Sequence, residues 1–145
     1  MRTWRTILIS ALIPFALGAA RAEETDDEVE ARKVALDLAG AFANDGFKLR
    51  DGHWAGPIKQ GAEAVVAVNL YAGNQYWFSV GASEADKTFT VRVYDENGKP
   101  ITADEFTEED KAAAGFSPSI SGQYFVGIAP TATAANAYCL VYSYK

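Results

Sequence analysis

Residues 64–80, AVVAVNLYAGNQYWFSV, decide the fold that the sequence predicts. Apolar side chains take every second position in residues 64–71 and again in residues 75–80, which is the pattern of a β-strand. Gly73 and Asn74 lie between the two runs, and both residue types are common in turns. We therefore predict two strands that are joined as a hairpin.

The same alternation recurs along the rest of the chain. It is present in residues 89–94, 123–129 and 137–144, and Asn97-Gly98 supplies a turn after the first of these runs. Short alternating strands separated by turn residues are typical of an antiparallel β-sandwich or jelly roll. We predict an all-β fold of this kind over residues 47–145.

One helix is expected before the strands. An acidic stretch at residues 23–28 leads into residues 29–43, where apolar residues recur at helical spacing. Asp26 or Asp27 is the expected N-cap, and Asn44-Asp45-Gly46 is a stop signal. We assign residues 23–46 to an acidic segment and an amphipathic helix that either covers part of the sandwich or docks a partner. Its apolar side is predicted to carry Ala31, Ala35, Leu38, Ala39 and Phe42.

The order of three motifs resembles a known family. These are LYAGNQYWF at residues 70–78, DENG at residues 95–98 and SGQY at residues 121–124. Together they resemble the bacterial pre-peptidase C-terminal domain over roughly residues 58–144. The resemblance implies a small β-sandwich that is an accessory module of secreted proteins, often beside a protease, and that in some cases binds matrix or carbohydrate. No peptidase domain accompanies the motifs in this sequence, so we expect a stand-alone exported protein.

The first 22 residues predict export. Two arginines precede an uncharged apolar run at residues 7–17, and small residues follow at 18–22. The run is about half as long as the ~20 residues that span a bilayer, so we expect a cleavable signal peptide rather than a membrane span. Cleavage before Glu23 would release the chain into the periplasm or outside the cell.

The charge of the expected mature chain excludes some partners. The full chain has 13 basic and 19 acidic residues, a net charge of -6. Loss of residues 1–22 removes three arginines and no acid, which leaves 10 basic residues and a net charge of -9. A strongly acidic protein repels nucleic acid, so we expect no nucleic-acid partner.

Cys139 is the only cysteine, which limits the covalent links that the exported chain can form. An intramolecular disulfide is impossible. A lipid anchor would need a cysteine just after the apolar run, so none is expected. We predict that Cys139 is a small buried side chain within a strand; the alternative is a free reactive thiol or an intermolecular bridge.

The residues predict no catalytic centre. His53 is the only histidine, which rules out a multi-histidine metal site, and it lies in a segment typical of a loop. The acidic residues within 105–110 are expected to form a solvated face, with a short helix considered for this segment. The alternative is a small hydrolase, or a protease-associated accessory factor, that uses His53 and nearby acids.

Calcium is the one cofactor that the sequence suggests. Asp95 and Asn97 offer oxygen ligands in a tight turn before Gly98. The spacing of a calcium loop is absent, and the same residues are ordinary hairpin chemistry. We therefore expect a structural turn, with calcium as the alternative and no other cofactor.

Aromatic residues mark a candidate binding surface. An exposed sheet face is normally polar, yet several predicted strands carry rings on the side opposite their aliphatic residues. Either the helix covers these rings or they form an exposed platform for a sugar, a peptide or a partner strand. The four candidate ligand-binding residues are Tyr71, Trp77, Tyr94 and Phe125. If rings stay uncovered, we expect Trp77 and Tyr94 to make the contacts.

These features favour an exported, non-catalytic binding or interaction module. Its partner would be a protein, a carbohydrate or an envelope component. Besides the hydrolase alternative, a structural envelope component that assembles through sheet edges stays open.

Overall fold

The computed structural model describes residues 23–84, 89–131 and 137–145, so the predicted signal peptide at residues 1–22 lies outside the described residues. In the described ranges, one helix precedes a series of antiparallel strands, as predicted for an all-β sandwich. In chain order the elements are α1 (Asp26–Ala43), β1 (Lys48–Leu49), β2 (Trp54–Pro57), β3 (Ala64–Leu70), β4 (Tyr76–Ala82), β5 (Phe89–Tyr94), β6 (Pro100–Ile101), β7 (Asp104–Glu108), β8 (Lys111–Phe116), β9 (Gly122–Pro130) and β10 (Ala137–Tyr144).

The strands form two sheets that share one core. The first sheet has the order β1-β10-β4-β8-β7, and β2 also pairs with β10. The second has the order β3-β9-β5-β6. Alternate side chains of both sheets point inward and bury a common apolar layer, which is the usual construction of a sandwich. Fully enclosed members of this layer include Phe78, Val80, Phe89, Val93, Val126, Ile128 and Leu140.

The predicted hairpin over residues 64–80 is wrong. β3 pairs with β9, whereas β4 pairs with β10 and β8, so the two strands belong to different sheets. The turn at Gly73, whose φ of 91° is in the left-handed region, carries the chain from one sheet to the other. The period-two pattern identified the inward residues correctly because it reports the face of a strand. It carries no information about the partner of that strand.

Residues 104–108 form a strand, so the short helix considered for residues 105–110 is wrong. β7 pairs with β8 at the edge of the first sheet, and all of its side chains are exposed. The predicted solvated face is therefore confirmed. Acidic side chains on an edge strand discourage pairing with another chain.

The helix begins and ends close to its predicted limits. Thr25 is the N-cap, and its hydroxyl accepts a hydrogen bond from the Glu28 backbone N–H at 3.2 Å. The predicted caps, Asp26 and Asp27, instead lie in the acidic first turn, where their charge suits the helix dipole. The described helix does not have the length and apolar character needed to cross a bilayer.

The helix packs on the outer face of the first sheet through small residues. Ala31, Ala35 and Ala39 bury against Cys139 and Val141 of β10. These three alanines and Leu38 are the buried members of the predicted apolar side. Phe42, its remaining member, makes a ring contact with β4.

Gly81 of β4 makes this close approach possible. A Cβ atom there would overlap the carbonyl oxygen of Ala31 and lie 2.6 Å from the backbone nitrogen of Ala35. Backbone atoms cannot move aside as the end of a flexible side chain can. The helix therefore needs glycine at this position.

We expect Gly81→Ala to destabilise the protein by about 1–3 kcal/mol, because the methyl group must push the helix away from the sheet. Gly40→Ala is the matched control, since a Cβ at Gly40 meets no atom within 4 Å. That change should stabilise the helix by about 0.5–1 kcal/mol. Urea unfolding of both variants measures the difference, and equal stabilities would contradict the close packing.

Candidate ligand-binding site

The four aromatic residues singled out in the sequence do not share one surface. Trp77 lies on the outer face of the first sheet, where its ring stacks on Phe42 at a centroid distance of 4.4 Å and an interplanar angle of 9°. The expected helical cover is therefore present at Trp77. Tyr94 and Phe125 are paired neighbours of the second sheet, on the opposite side of the sandwich. Tyr71 follows β3 and is 63% exposed.

Tyr94 and Phe125 border a shallow depression on the second sheet. Its volume is about 190 Å³, and Glu63 and Val65 also line it. The Tyr94 hydroxyl donates to the Glu63 carboxylate at 2.8 Å. Partial burial raises the pKa of Tyr94 above its usual value, and this hydrogen bond adds a smaller contribution in the same direction. The Tyr94 hydroxyl is thus engaged within the protein.

A deeper cleft opens at one end of the sandwich, and we call it the tyrosine cleft. Its volume is about 260 Å³. Its walls come from the ends of β3 and β10, the start of β4, the turn between β3 and β4, and the residue after β1. The lining residues are Arg50, Asn69, Tyr71, Asn74, Tyr76, Tyr142 and Tyr144.

Hydrogen bonds fix the turn that forms one wall of the tyrosine cleft. The hydroxyl of Tyr76 accepts from the Tyr71 backbone N–H at 2.9 Å and from the Asn74 side-chain amide at 3.1 Å. The Ala72 backbone N–H donates to the Ser121 hydroxyl at 2.8 Å. The turn is thus held from both sheets, because Tyr76 belongs to the first and Ser121 directly precedes β9 of the second. The exposed ring of Tyr71 is presented on a fixed support.

Arg50 also lines the tyrosine cleft, and its guanidinium lies over two aromatic rings. Its guanidinium carbon lies 5.0 Å from the centroid of the Tyr142 ring and 5.9 Å from that of Trp54. The two rings stack on each other at 5.7 Å. Burial raises the pKa of the Tyr142 hydroxyl, and the positive charge of Arg50 opposes this rise. These contacts give the guanidinium a defined position at the mouth of the cleft.

The tyrosine cleft continues across the end of the second sheet. Asn69 and Tyr71 also line an adjoining depression of about 310 Å³, which reaches Ser121 and Gly122. Those two residues in turn border a third depression of about 190 Å³. The third depression ends at the turn between β5 and β6, where Asp95 and Glu96 lie. Together the three depressions form an elongated path with Arg50 near one end and acidic residues at the other.

The proposed calcium ligands lie at that acidic end. One carboxylate oxygen of Asp95 accepts from the backbone N–H groups of Asn97 and Lys99, both at 2.9 Å. This is the hydrogen bonding of a turn, and β5 and β6 are indeed joined here as a hairpin. Across the described ranges, no group of three or more His, Cys, Asp or Glu side chains could hold a metal ion. The predicted structural turn is present, and calcium at Asp95 and Asn97 stays an untested alternative.

His53 lies in the loop before β2, as predicted. Its Nε2 atom is 2.9 Å from a Glu24 carboxylate oxygen, and Arg32 contacts the other oxygen at 2.5 Å. The pair ties the segment before the helix to the loop before β2. Both side chains of the His53–Glu24 pair are partly exposed.

No family model matches the chain, and a search of the curated proteins finds no significant match. The resemblance to the pre-peptidase C-terminal domain therefore stays a prediction. Of the candidate binding residues, only Tyr71 lies in the tyrosine cleft. Sequence reasoning missed Arg50 and Tyr142, because neither belongs to a local motif and only the pairing around β10 brings them together. The run of tyrosines in β10 was the available signal.

Cys139 is fully buried, as predicted, and its environment makes a reactivity test possible. Burial raises the pKa of its thiol from 9.0 to about 12. We expect no reaction of the native protein with Ellman's reagent at pH 8, and one thiol per chain after denaturation. Rapid labelling of the native protein would contradict the buried position.

The same shift has a defined effect on stability. Because the folded-state pKa is the higher one, the neutral thiol contributes stability that is fully present below about pH 9 and is lost as the pH rises towards 12. Cys139→Ala removes this dependence and serves as the control in alkaline unfolding experiments.

Proposed function

We propose that the chain is an exported, non-catalytic binding module and that the tyrosine cleft binds a carbohydrate. The observation that carries the proposal is the exposed ring of Tyr71 beside a cleft lined by further tyrosines, on a backbone whose N–H donates to the Tyr76 hydroxyl. Because this backbone is already held, less conformational freedom is lost when a ligand packs on the ring. The site is therefore prepared for a ligand with a flat apolar face.

Sugars match the chemistry of the tyrosine cleft. A pyranose ring has an apolar face of C–H groups and a rim of hydroxyls, so it needs both an aromatic surface and polar partners at its edge. The exposed rings of Tyr71 and Tyr144 offer the first, and the amides of Asn69 and Asn74 offer both donors and acceptors. Ligand pockets for whole drug-sized molecules usually reach about 300–1,000 Å³. A cleft of about 260 Å³ that continues into neighbouring depressions suits one sugar ring of a longer chain.

Export is the second part of the proposal. It is supported by the arginines, the short apolar run and the small residues within positions 1–22. An extracellular or periplasmic location also agrees with a role in binding glycans, which are abundant there.

We expect the exported protein to begin at Glu23 when the full chain is expressed in a bacterium. N-terminal sequencing and the intact mass of the periplasmic or secreted protein test this, because cleavage by signal peptidase follows the small residue Ala22. Replacing Ala20 and Ala22 by bulky residues should leave the precursor uncleaved. A mature protein that retains Met1 would contradict export through this signal.

We expect Tyr71→Ala to weaken glycan binding at least about tenfold, because it removes the exposed ring of the cleft. The ligand is first found on a glycan array with the exported protein, and its affinity is then measured by isothermal titration calorimetry. Tyr94→Ala is the matched control, since Tyr94 lines the separate depression beside Glu63 and Phe125 and not the tyrosine cleft, so its removal should leave the affinity unchanged.

Three results would contradict the tyrosine cleft as the site. The first is full binding by Tyr71→Ala, and the second is loss of binding in Tyr94→Ala. The third is glycan turnover that His53→Ala abolishes, which would favour the hydrolase alternative instead. Near-ultraviolet circular dichroism of each variant shows that its fold is intact.

A further inference from the structure

The tyrosine cleft carries a positive charge, whereas the protein as a whole is negatively charged. The full chain has a net charge of -6, yet the one charged side chain that lines this cleft is Arg50. The third depression, at the far end of the path, is lined by Asp95 and Glu96. The path is therefore positive at the tyrosine cleft and negative at its other end.

Arg50 has no ion-pair partner in the described part of the chain. Across the residues that the structure describes, no carboxylate lies within ion-pair distance of Arg50, whereas Arg32 contacts Glu24 at 2.5 Å. Its described side-chain contacts are the rings of Trp54 and Tyr142. An arginine that binds rings through its flat face keeps its edge N–H groups for hydrogen bonds.

We propose that the tyrosine cleft selects a sugar that carries a carboxylate, a uronic acid, and that Arg50 binds this carboxylate. This inference rests on the proposed function of the same cleft. The guanidinium edge presents parallel N–H donors that match the two oxygens of a carboxylate. Tyr71 binds the face of the sugar ring, while Arg50 binds the acidic group at its edge.

The acidic end of the path sets the position of the uronate. A carboxylate bound near Asp95 and Glu96 would be repelled by like charges, whereas neutral sugar units would not. A chain with one uronate and otherwise neutral units therefore binds with its acidic unit at Arg50. A polymer with a carboxylate on every unit is disfavoured.

The test compares matched ligands on the exported protein. Disaccharides that end in glucuronate or galacturonate are titrated beside their neutral glucose and galactose counterparts by calorimetry. We expect the uronate form to bind at least about tenfold more tightly, because a charge-assisted, two-point hydrogen bond is added. The wild-type comparison needs no variant, so it does not depend on the folding of a mutant.

Variants then assign the selectivity to Arg50. In Arg50→Gln the uronate and neutral affinities should become equal, and Arg50→Lys should recover only part of the difference, because it keeps the charge without the planar fork. Arg92→Gln removes the same charge from the exposed part of β5 and should retain the full preference. A loss of preference in Arg92→Gln would overturn the role of Arg50 and favour a general charge effect.

The outcomes separate the two proposals. Equal binding of neutral and uronate sugars, both weakened by Tyr71→Ala, would overturn the carboxylate inference and leave the carbohydrate site standing. No binding of any sugar would overturn both. Arg50-dependent binding of a short peptide with a free terminal carboxylate, without sugar binding, would also overturn both and would identify a protein partner.

Discussion

The hydroxyl of Tyr76 holds the turn that forms one wall of the tyrosine cleft. The chain leaves the second sheet after Leu70 and enters the first at Tyr76, so the residues between them must bridge two layers. Tyr76 is 4% exposed, and its hydroxyl accepts two hydrogen bonds from this bridge. A buried ring that ends in a polar group is suited to this, because the core fixes the ring and the hydroxyl satisfies backbone and side-chain donors.

On the outer face of the first sheet, α1 packs through small side chains rather than bulky ones. Alanines of α1 lie against Gly81 and Cys139, so the helix and sheet backbones come nearly into contact. The hydroxyls of Ser79 and Ser143 are buried without a partner among the described residues, and such a group costs about 1–3 kcal/mol. Tight packing and the stacking of Phe42 on Trp77 offset this cost. The helix therefore packs closely over the outer face of the first sheet.

Sequence periodicity predicted the strands well because burial acts on single strands. Val66, Val68, Phe78 and Val80 all point into the core, as their alternation indicates. Pairing depends on the whole chain, which is why the expected hairpin at residues 64–80 proved to be a crossing between sheets. The tyrosine cleft was unpredictable for the same reason. Its walls come from residues 50, 69–76 and 142–144, which become neighbours only through the register of β10 with β1 and β4.

If the tyrosine cleft binds a carboxylate as we propose, the acidic surface and Arg50 would act at different stages, the first on the approach of the ligand and the second on its binding. At physiological ionic strength, charges are screened beyond about 8 Å, so the many surface acids act mainly as a weak barrier to approaching anions. Arg50 acts at contact distance, where the aromatic rings around it exclude part of the water and strengthen its interaction with a carboxylate. The barrier grows with the number of charges on the ligand, whereas the contact accepts one carboxylate. Under the proposed function such a surface would reject polyanions and retain a ligand with a single acid, so the net charge of the protein and the charge of its cleft would contribute to the same selectivity.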